Sequence, residues 1–432
     1  MMTLENEMYN LLSELYPICR SITGNGVRKS LKIIKKYIDL EIHEIPTGTK
    51  VFDWEVPKEW NIDDAYIIDP NGKKILDFKN SNLHVVQYSK PIKTKINLDE
   101  LKSHIYSIPK QPENIPYVTS YYNETWGFCM SHNQLQNLIP GEYEICIDST
   151  LSNGSLTYGE FLHKGKTEDE ILTSCYVCHP SMANDNLSGV SLTTFLAKNM
   201  HPTNYSYRFL FIPETIGAIT WLALNEENTS KIKHGLIATC VGDNGSLTYK
   251  KSRQGNTEID KAACYILEKS NEKYNISEFS PIGSDERQFC SPGFNLSIGS
   301  LMRTPYMKFS EYHTSADNLE FVKKEKLKDT YEKYISIYDI LENNKKYVNL
   351  NPKCEPHLGR RGLYHGINSR NDLETKDRVL LESAILWILN LSDGKNSLLD
   401  IAIKSNIKFS IIKRAVDSLK NCGLVKEFNE TI

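Results

Sequence analysis

Apolar positions recur at helical spacing at both ends of the chain and at strand spacing through its middle. Near the start, 5–17 and 27–40 predict two amphipathic helices. The second follows Thr23-Gly24-Asn25-Gly26 and sets Val27, Leu31, Ile34 and then Tyr37 or Ile38 on one face. From about 42 to 165, short β-type runs such as His84-Val-Val-Gln-Tyr88 and Glu142-Tyr-Glu-Ile-Cys146 alternate with turn signals at Asp69-Pro-Asn-Gly72, Ile108-Pro109 and Pro140-Gly141. From 168 to 345 the pattern changes again. Strand candidates at 169–177, 207–213, 235–241 and 295–301 alternate with helical stretches at 187–199, 216–226, 258–272 and 323–345. That alternation predicts a largely parallel sheet covered by helices.

A linker with two prolines, Asn349-Leu-Asn-Pro-Lys-Cys-Glu-Pro356, precedes the tail. There Val379 to Leu389, Ser397 to Ile403 and Ser410 to Leu419 read as helices, Ser392-Asp-Gly394 as a turn, and Cys422 to Phe428 as a first wing strand. This is the order of a winged helix-turn-helix. The expected fold is α/β: a mixed, mostly parallel sheet covered by helices, with an inserted mainly-β domain and a C-terminal winged helix. The expected domains are 1–45 plus 160–348, the insertion 46–159, and the winged helix 357–432.

Composition narrows the class. The chain has 432 residues, 40% hydrophobic and 24% charged, as in ordinary globular proteins. A net charge of −3 gives no electrostatic reason to expect whole-chain nucleic-acid binding. No apolar run approaches the ~20 residues of a membrane span. Residues 1–20 show no signal pattern, since Glu5, Glu7 and Glu14 interrupt the apolar positions, and the ten Cys are scattered. The expectation is a cytoplasmic, reducing setting. In the tail Lys413 and Arg414 lie on the candidate recognition helix, but Asp417, Asp400 and Glu427 dilute the charge. A packing or protein-contact role is favoured there over DNA binding.

The chemistry sits where apolar runs end. Ile171-Leu-Thr leads into Cys175-Tyr-Val-Cys-His179-Pro-Ser-Met-Ala-Asn-Asp185-Asn-Leu-Ser-Gly-Val190. Arg208-Phe-Leu-Phe-Ile-Pro213 ends in Glu214-Thr215-Ile-Gly217, and Tyr312-His313-Thr-Ser-Ala-Asp317 follows another apolar run. Imidazoles and carboxylates at separate strand ends are how α/β sheets build metal sites, and this set points to a zinc-type hydrolase. Cys175-x-x-Cys178-His179 also has the literal form of a c-type haem attachment. That chemistry needs an exported chain, so both cysteines read as buried thiols.

Taken with Gly283-Ser-Asp285-Glu-Arg287-Gln-Phe289, these segments resemble the co-catalytic zinc aminopeptidases over roughly 170–345. The whole chain resembles a bacterial aminopeptidase-like family that joins a zinc-peptidase domain, an inserted β domain and a winged helix. The resemblance implies that His179, Asp185 and His313 bind metal, that Glu214 is the general base, and that one or two zinc ions are the cofactor. It implies a peptide or a small aminoacyl amide as substrate. Three positions depart from the peptidase pattern. Ser181 stands where an Asp orients the metal-binding His, Thr215 replaces a second Glu, and the position of a third carboxylate ligand falls on Asp243 or, matched without a gap, on Thr239, which has no carboxylate. Asp285, Arg287, Arg303 and Tyr312 are candidates for contacting substrate. Two functions stay open: a metal-dependent amide hydrolase, and a degenerate peptidase fold that senses a ligand and signals through its winged helix.

Overall fold

Runs of aromatic and β-branched residues build an eight-stranded mixed sheet. Its strands are β1 (Glu41–Pro46), β2 (Ser155–His163), β3 (Glu170–Tyr176), β4 (Ser206–Ile212), β5 (Ile232–Ala238), β6 (Leu247–Lys250), β7 (Tyr274–Ser277) and β8 (Ile298–Met302), in the order β1-β2-β4-β3-β5-β8-β6-β7. The computed structural model describes residues 2–363 and 373–428, the side chains of 373–376 excepted. It divides into two compact units, Met1–Asp260 with Ser270–Tyr334, and Lys261–Lys269 with Ile335–Ile432. In the first unit β4, β3, β5 and β8 run parallel, while β1/β2, β2/β4 and β8/β6 pair antiparallel. β3 lies between β4 and β5 and is buried at every position. A continuous apolar run with Glu170 bonded to Arg208 at its edge is what such a central strand requires. The parallel arrangement brings the carboxyl ends of β3, β4, β5 and β8 to one edge, from which the chain runs into helices after β3, β4 and β8 and into strand β6 after β5.

Those helices cover the sheet through apolar stripes. Leu4–Leu15 buries Met8, Leu11, Leu12 and Leu15, a spacing of three and four residues. Gly189–Lys198 is buried along nearly its whole length, with Thr194 donating to the Val190 carbonyl and Ser191 to that of Met8. The expected helix 27–40 ends early, at Ile34. A turn then carries the chain toward β1, yet it still buries Ile38 and sets Tyr37 edge-on to Phe195 at 5.7 Å. The apolar periodicity outlasts the helix because burial, not hydrogen bonding, set it.

The β-rich stretch forms an antiparallel sheet of Lys74–Asp77, Glu59–Ile68, Glu142–Ser152 and Ile92–Asn97, with a core of its own around Ile67, Trp126, Phe128, Tyr143 and Ile145. β2 straddles the expected boundary at 159 and belongs wholly to the main sheet.

The second unit holds helices Leu373–Leu391, Leu398–Ser405 and Phe409–Asn421 around a three-stranded sheet. Lys346–Asn349 is its middle strand, flanked by Asp393–Ser397 and Val425–Glu427. The residues just before the linker, which the sequence assigned to no element, and part of the turn expected at 392–394 are thus strands. Their partners lie far away in sequence, and four or five residues are too few to show alternation. No helix among the described residues is long and apolar enough to cross a membrane.

Candidate metal centre

The loop after β3 carries the first two groups. His179 lies three residues beyond the strand end and is buried, as is Asp185. Burial pushes the His179 imidazole down to about 4, which keeps it in the neutral form a metal requires. A buried guanidinium holds this loop. Arg20 donates through Nε (3.1 Å) and Nη2 (2.8 Å) to the His179 carbonyl and through Nη1 (2.6 Å) to that of Leu15. Ser181 turns away from the imidazole and donates to the Tyr16 carbonyl at 2.9 Å. His179 Nδ1 instead lies 3.6 Å from the Cys178 thiol.

The residues around Asp185 explain the Asn-Asp-Asn-Leu-Ser-Gly spelling. Asn186 bridges to the end of β5, donating to the Ala238 carbonyl and accepting from the Cys240 amide. Ser188 accepts from the Val241 amide, and Asn184 accepts from the Gly242 amide. Asp317 accepts from the amides of both Asn184 and Asp185, at 2.6 and 2.9 Å. Gly189 must be glycine because an added Cβ would sit 2.3 Å from both the Ala238 carbonyl oxygen and Asn186 Oδ1. Gly189→Ala is expected to lower unfolding free energy in denaturant titration by about 1–3 kcal/mol. Wild-type stability would show that this stitched loop gives way freely.

The carboxylate of Asp185 is divided between two partners. Oδ1 accepts from the Tyr176 hydroxyl, which also shares a hydrogen bond of 2.7 Å with Thr239 Oγ1. Oδ2 lies 3.0 Å from His313 Nε2 without hydrogen-bond alignment, and both atoms are buried with no partner. Although burial raises it, the nearby His179 and His313 hold this carboxyl at about 2. His179, Asp185 and His313 offer ligand atoms within 4.8 Å of one another. Zinc bonds of about 2.0–2.2 Å require the trio to draw in by roughly 1 Å. Two orphaned atoms aimed at one point, beside a neutral imidazole, form a donor set that fits zinc.

Glu214 follows β4 at a corner. Thr215 has φ 65° and ψ −75°, an outlier for a β-branched residue. Its amide donates to Asp285 Oδ1 at 2.7 Å, and the Glu214 amide donates to Cys178 Sγ at 3.3 Å. These bonds hold the corner and aim Glu214 Oε2 to within 3.8 Å of His179 Nε2. Burial, then the charges of Asp285 and Asp185, raise the Glu214 carboxyl well above its usual range. Burial also lifts Asp285 to about 7. Glu214, Tyr176, Ser284, Arg287, Tyr306 and Tyr312 wall a pocket of about 160 Å³. Tyr312 also stacks on the His313 ring at 3.9 Å.

Two expected site residues stand elsewhere. Asp243 is buried, and its oxygens are taken by Asn184 Nδ2, the Gly245 amide, and the amide and hydroxyl of Thr304. It lies outside the His179–Asp185–His313 group. Arg303 is 1% exposed, pairs with Asp329 at 2.9 Å and donates to the Gly245 carbonyl, so its guanidinium is engaged within the protein.

One contributor comes from the β-rich part. Residues 115–117 run antiparallel to 313–315: the Tyr117 amide donates to the His313 carbonyl at 2.8 Å, and Ser315 and Ile115 bond reciprocally. The Tyr117 ring meets both imidazoles edge-on, His179 at 5.2 Å and His313 at 5.0 Å, and its hydroxyl pairs with that of Tyr121. Trp126 instead packs in the core of the β-rich part against His104.

The mixed sheet with its covering helices is similar in fold to the zinc aminopeptidases. BSAP, a zinc aminopeptidase from Bacillus subtilis, superposes with a TM-score of 0.58 over 78% of this chain and 94% of its own, at 14% identity, a likeness of fold. Residues 9–344 match the family described as a domain of unknown function, DUF4910, and the chain belongs to it. Residues 345–427 match a winged helix-turn-helix family. A Clostridium acetobutylicum protein, provisionally named a polysaccharide biosynthesis protein with aminopeptidase-like domain, is 55% identical over 97% of this chain and 96% of its own. A crystal structure from the same organism, provisionally called a peptidase, shares 54% identity with a TM-score of 0.92 over 98% of this chain and 96% of that one.

Proposed function

We propose that the chain is a zinc-dependent amide hydrolase acting on peptides or small aminoacyl amides. His179, Asp185 and His313 would hold a single ion, and Glu214 is the general base. The observation that carries this reading is the pair of buried, partnerless atoms on Asp185 and His313, beside a carboxylate whose proton affinity is raised. Zinc bound there supplies a Lewis acid and lowers the pKa of water toward about 7.

The chain's own residues do the rest. Glu214 takes a proton from the attacking water and delivers it to the departing amine. A carboxyl raised toward the working pH is suited to both halves of that task. Asp285 fixes the Thr215 amide and so holds the Glu214 corner. Tyr312 and Tyr117 pack on the His313 ring and restrict its rotation. The small pocket beside Glu214 admits one compact group, being smaller than the roughly 300–1,000 Å³ of sites for drug-sized ligands.

The test is hydrolysis of a panel of aminoacyl amides and dipeptides by zinc-loaded protein, before and after chelation. Turnover that chelation removes and zinc restores is expected. Turnover indifferent to chelation would refute the metal, and none on any amide would favour the ligand-sensing alternative.

A further inference from the structure

Arg287 is the one cation that walls the pocket beside Glu214. Among the described residues it has no carboxylate within ion-pair distance. Its guanidinium is bonded only through Nη2 to Thr215 Oγ1, at 3.0 Å, and its buried Nε has no partner. Each of the two acids that precede it has one oxygen bonded elsewhere and one buried oxygen without a partner. Asp285 turns its Oδ1 to the Thr215 amide, and Glu286 pairs with the buried Lys250 at 2.7 Å. Ser284, on the same wall, has a buried hydroxyl that also lacks a partner. Glu214 apart, the lining carries a guanidinium bonded only to Thr215 and a hydroxyl without a partner, but no other carboxylate.

A half-buried guanidinium without a counter-ion is costly unless something anionic joins it. The fork matches a carboxylate in two parallel hydrogen bonds. Its anchor, Thr215, is the residue after the proposed base, which hands a proton to the leaving amine. An anion at Arg287 would sit next to the residue that delivers this proton.

We propose that Arg287, with Ser284, is a carboxylate subsite, and that the substrates are small amides whose leaving amine bears a free carboxylate, such as aminoacyl or acyl amino acids. This rests on the hydrolase reading for the site beside it. The subsite makes the chain selective for a terminal unit that ends in an acid, and disfavours cleavage inside a longer peptide.

The experiment compares leucylglycine with leucylglycinamide on zinc-loaded wild type, Arg287→Gln and Arg287→Lys, and measures binding of N-acetylglycine against N-acetylglycinamide by calorimetry. Wild type should prefer the acid by at least tenfold in kcat/KM. The ratio should fall toward one in Arg287→Gln and lie between in Arg287→Lys, which keeps the charge and loses the fork. A wild-type ratio near one, or a ratio that survives Arg287→Gln, overturns the subsite and leaves the hydrolase reading standing. If neither dipeptide turns over, tighter binding of N-acetylglycine that Arg287→Gln abolishes supports the subsite while counting against hydrolysis. Equal binding of the two N-acetyl compounds in that case overturns it.

Discussion

Glu214→Gln is expected to cut turnover of any accepted amide by about 10²–10⁴-fold while leaving zinc content unchanged. The substitution keeps the shape of the side chain, and the Glu214 amide can still donate to Cys178 Sγ. It removes only the capacity to accept and return a proton. Glu214 is not among the three groups whose ligand atoms converge, so the ion has no reason to leave. Stability supplies a second readout. Burial and the charges of Asp285 and Asp185 oppose ionisation of Glu214, so a neutral amide there should leave Tm unchanged or raise it. Loss of turnover with retained zinc and retained Tm isolates the proton-transfer role. Turnover equal to wild type would remove Glu214 from the mechanism, and loss of zinc would make it a ligand.

The strand ends were legible in the sequence because each is an apolar run followed at once by a chemically capable group. His179 and Glu214 announce themselves in that way, whereas Asp185 and His313 lie farther along the loops after β3 and β8, and the structure brings all four together. Position after a strand says nothing of what a side chain is already bonded to. Asp243 and Arg303 follow β5 and β8 as a site residue would, yet Thr304 and Asn184 occupy the first and Asp329 the second. Arg20 and Tyr117 were invisible for a different reason. They reach the site from the N-terminal helices and from the β-rich stretch, and neither lies in a motif. Tyr176 lay inside the quoted run and was read only as strand. Its hydroxyl on Asp185 follows from the alternation of strand side chains together with the return of the loop, and that return is a tertiary fact. In the winged-helix unit the helices and the wing strand within 422–428 were readable, whereas Lys346–Asn349 and Asp393–Ser397 are strands only by virtue of distant partners.

Elemental analysis of protein supplied with zinc is expected to give about one ion per chain, and none in Asp185→Ala. A carboxylate that bridges two ions must offer both oxygens. Here Oδ1 of Asp185 is engaged by the Tyr176 hydroxyl, itself tied to Thr239, and only Oδ2 is without a partner. The other groups a second ion would need are also missing, since Thr215 has no carboxylate and Asp243 is held by Thr304, Gly245 and Asn184. Three protein ligands and an open position make an ordinary catalytic zinc site, so a single ion does not imply an inert one. Tyr176→Phe separates the explanations. It frees Oδ1 without touching a ligand, so a stoichiometry that rises above one in that variant would make the hydroxyl the device that restricts the site. Two ions in the wild type would refute the single-ion centre outright. Zinc retained in Asp185→Ala would remove Asp185 from the ligand set and with it the cluster on which the hydrolase reading stands.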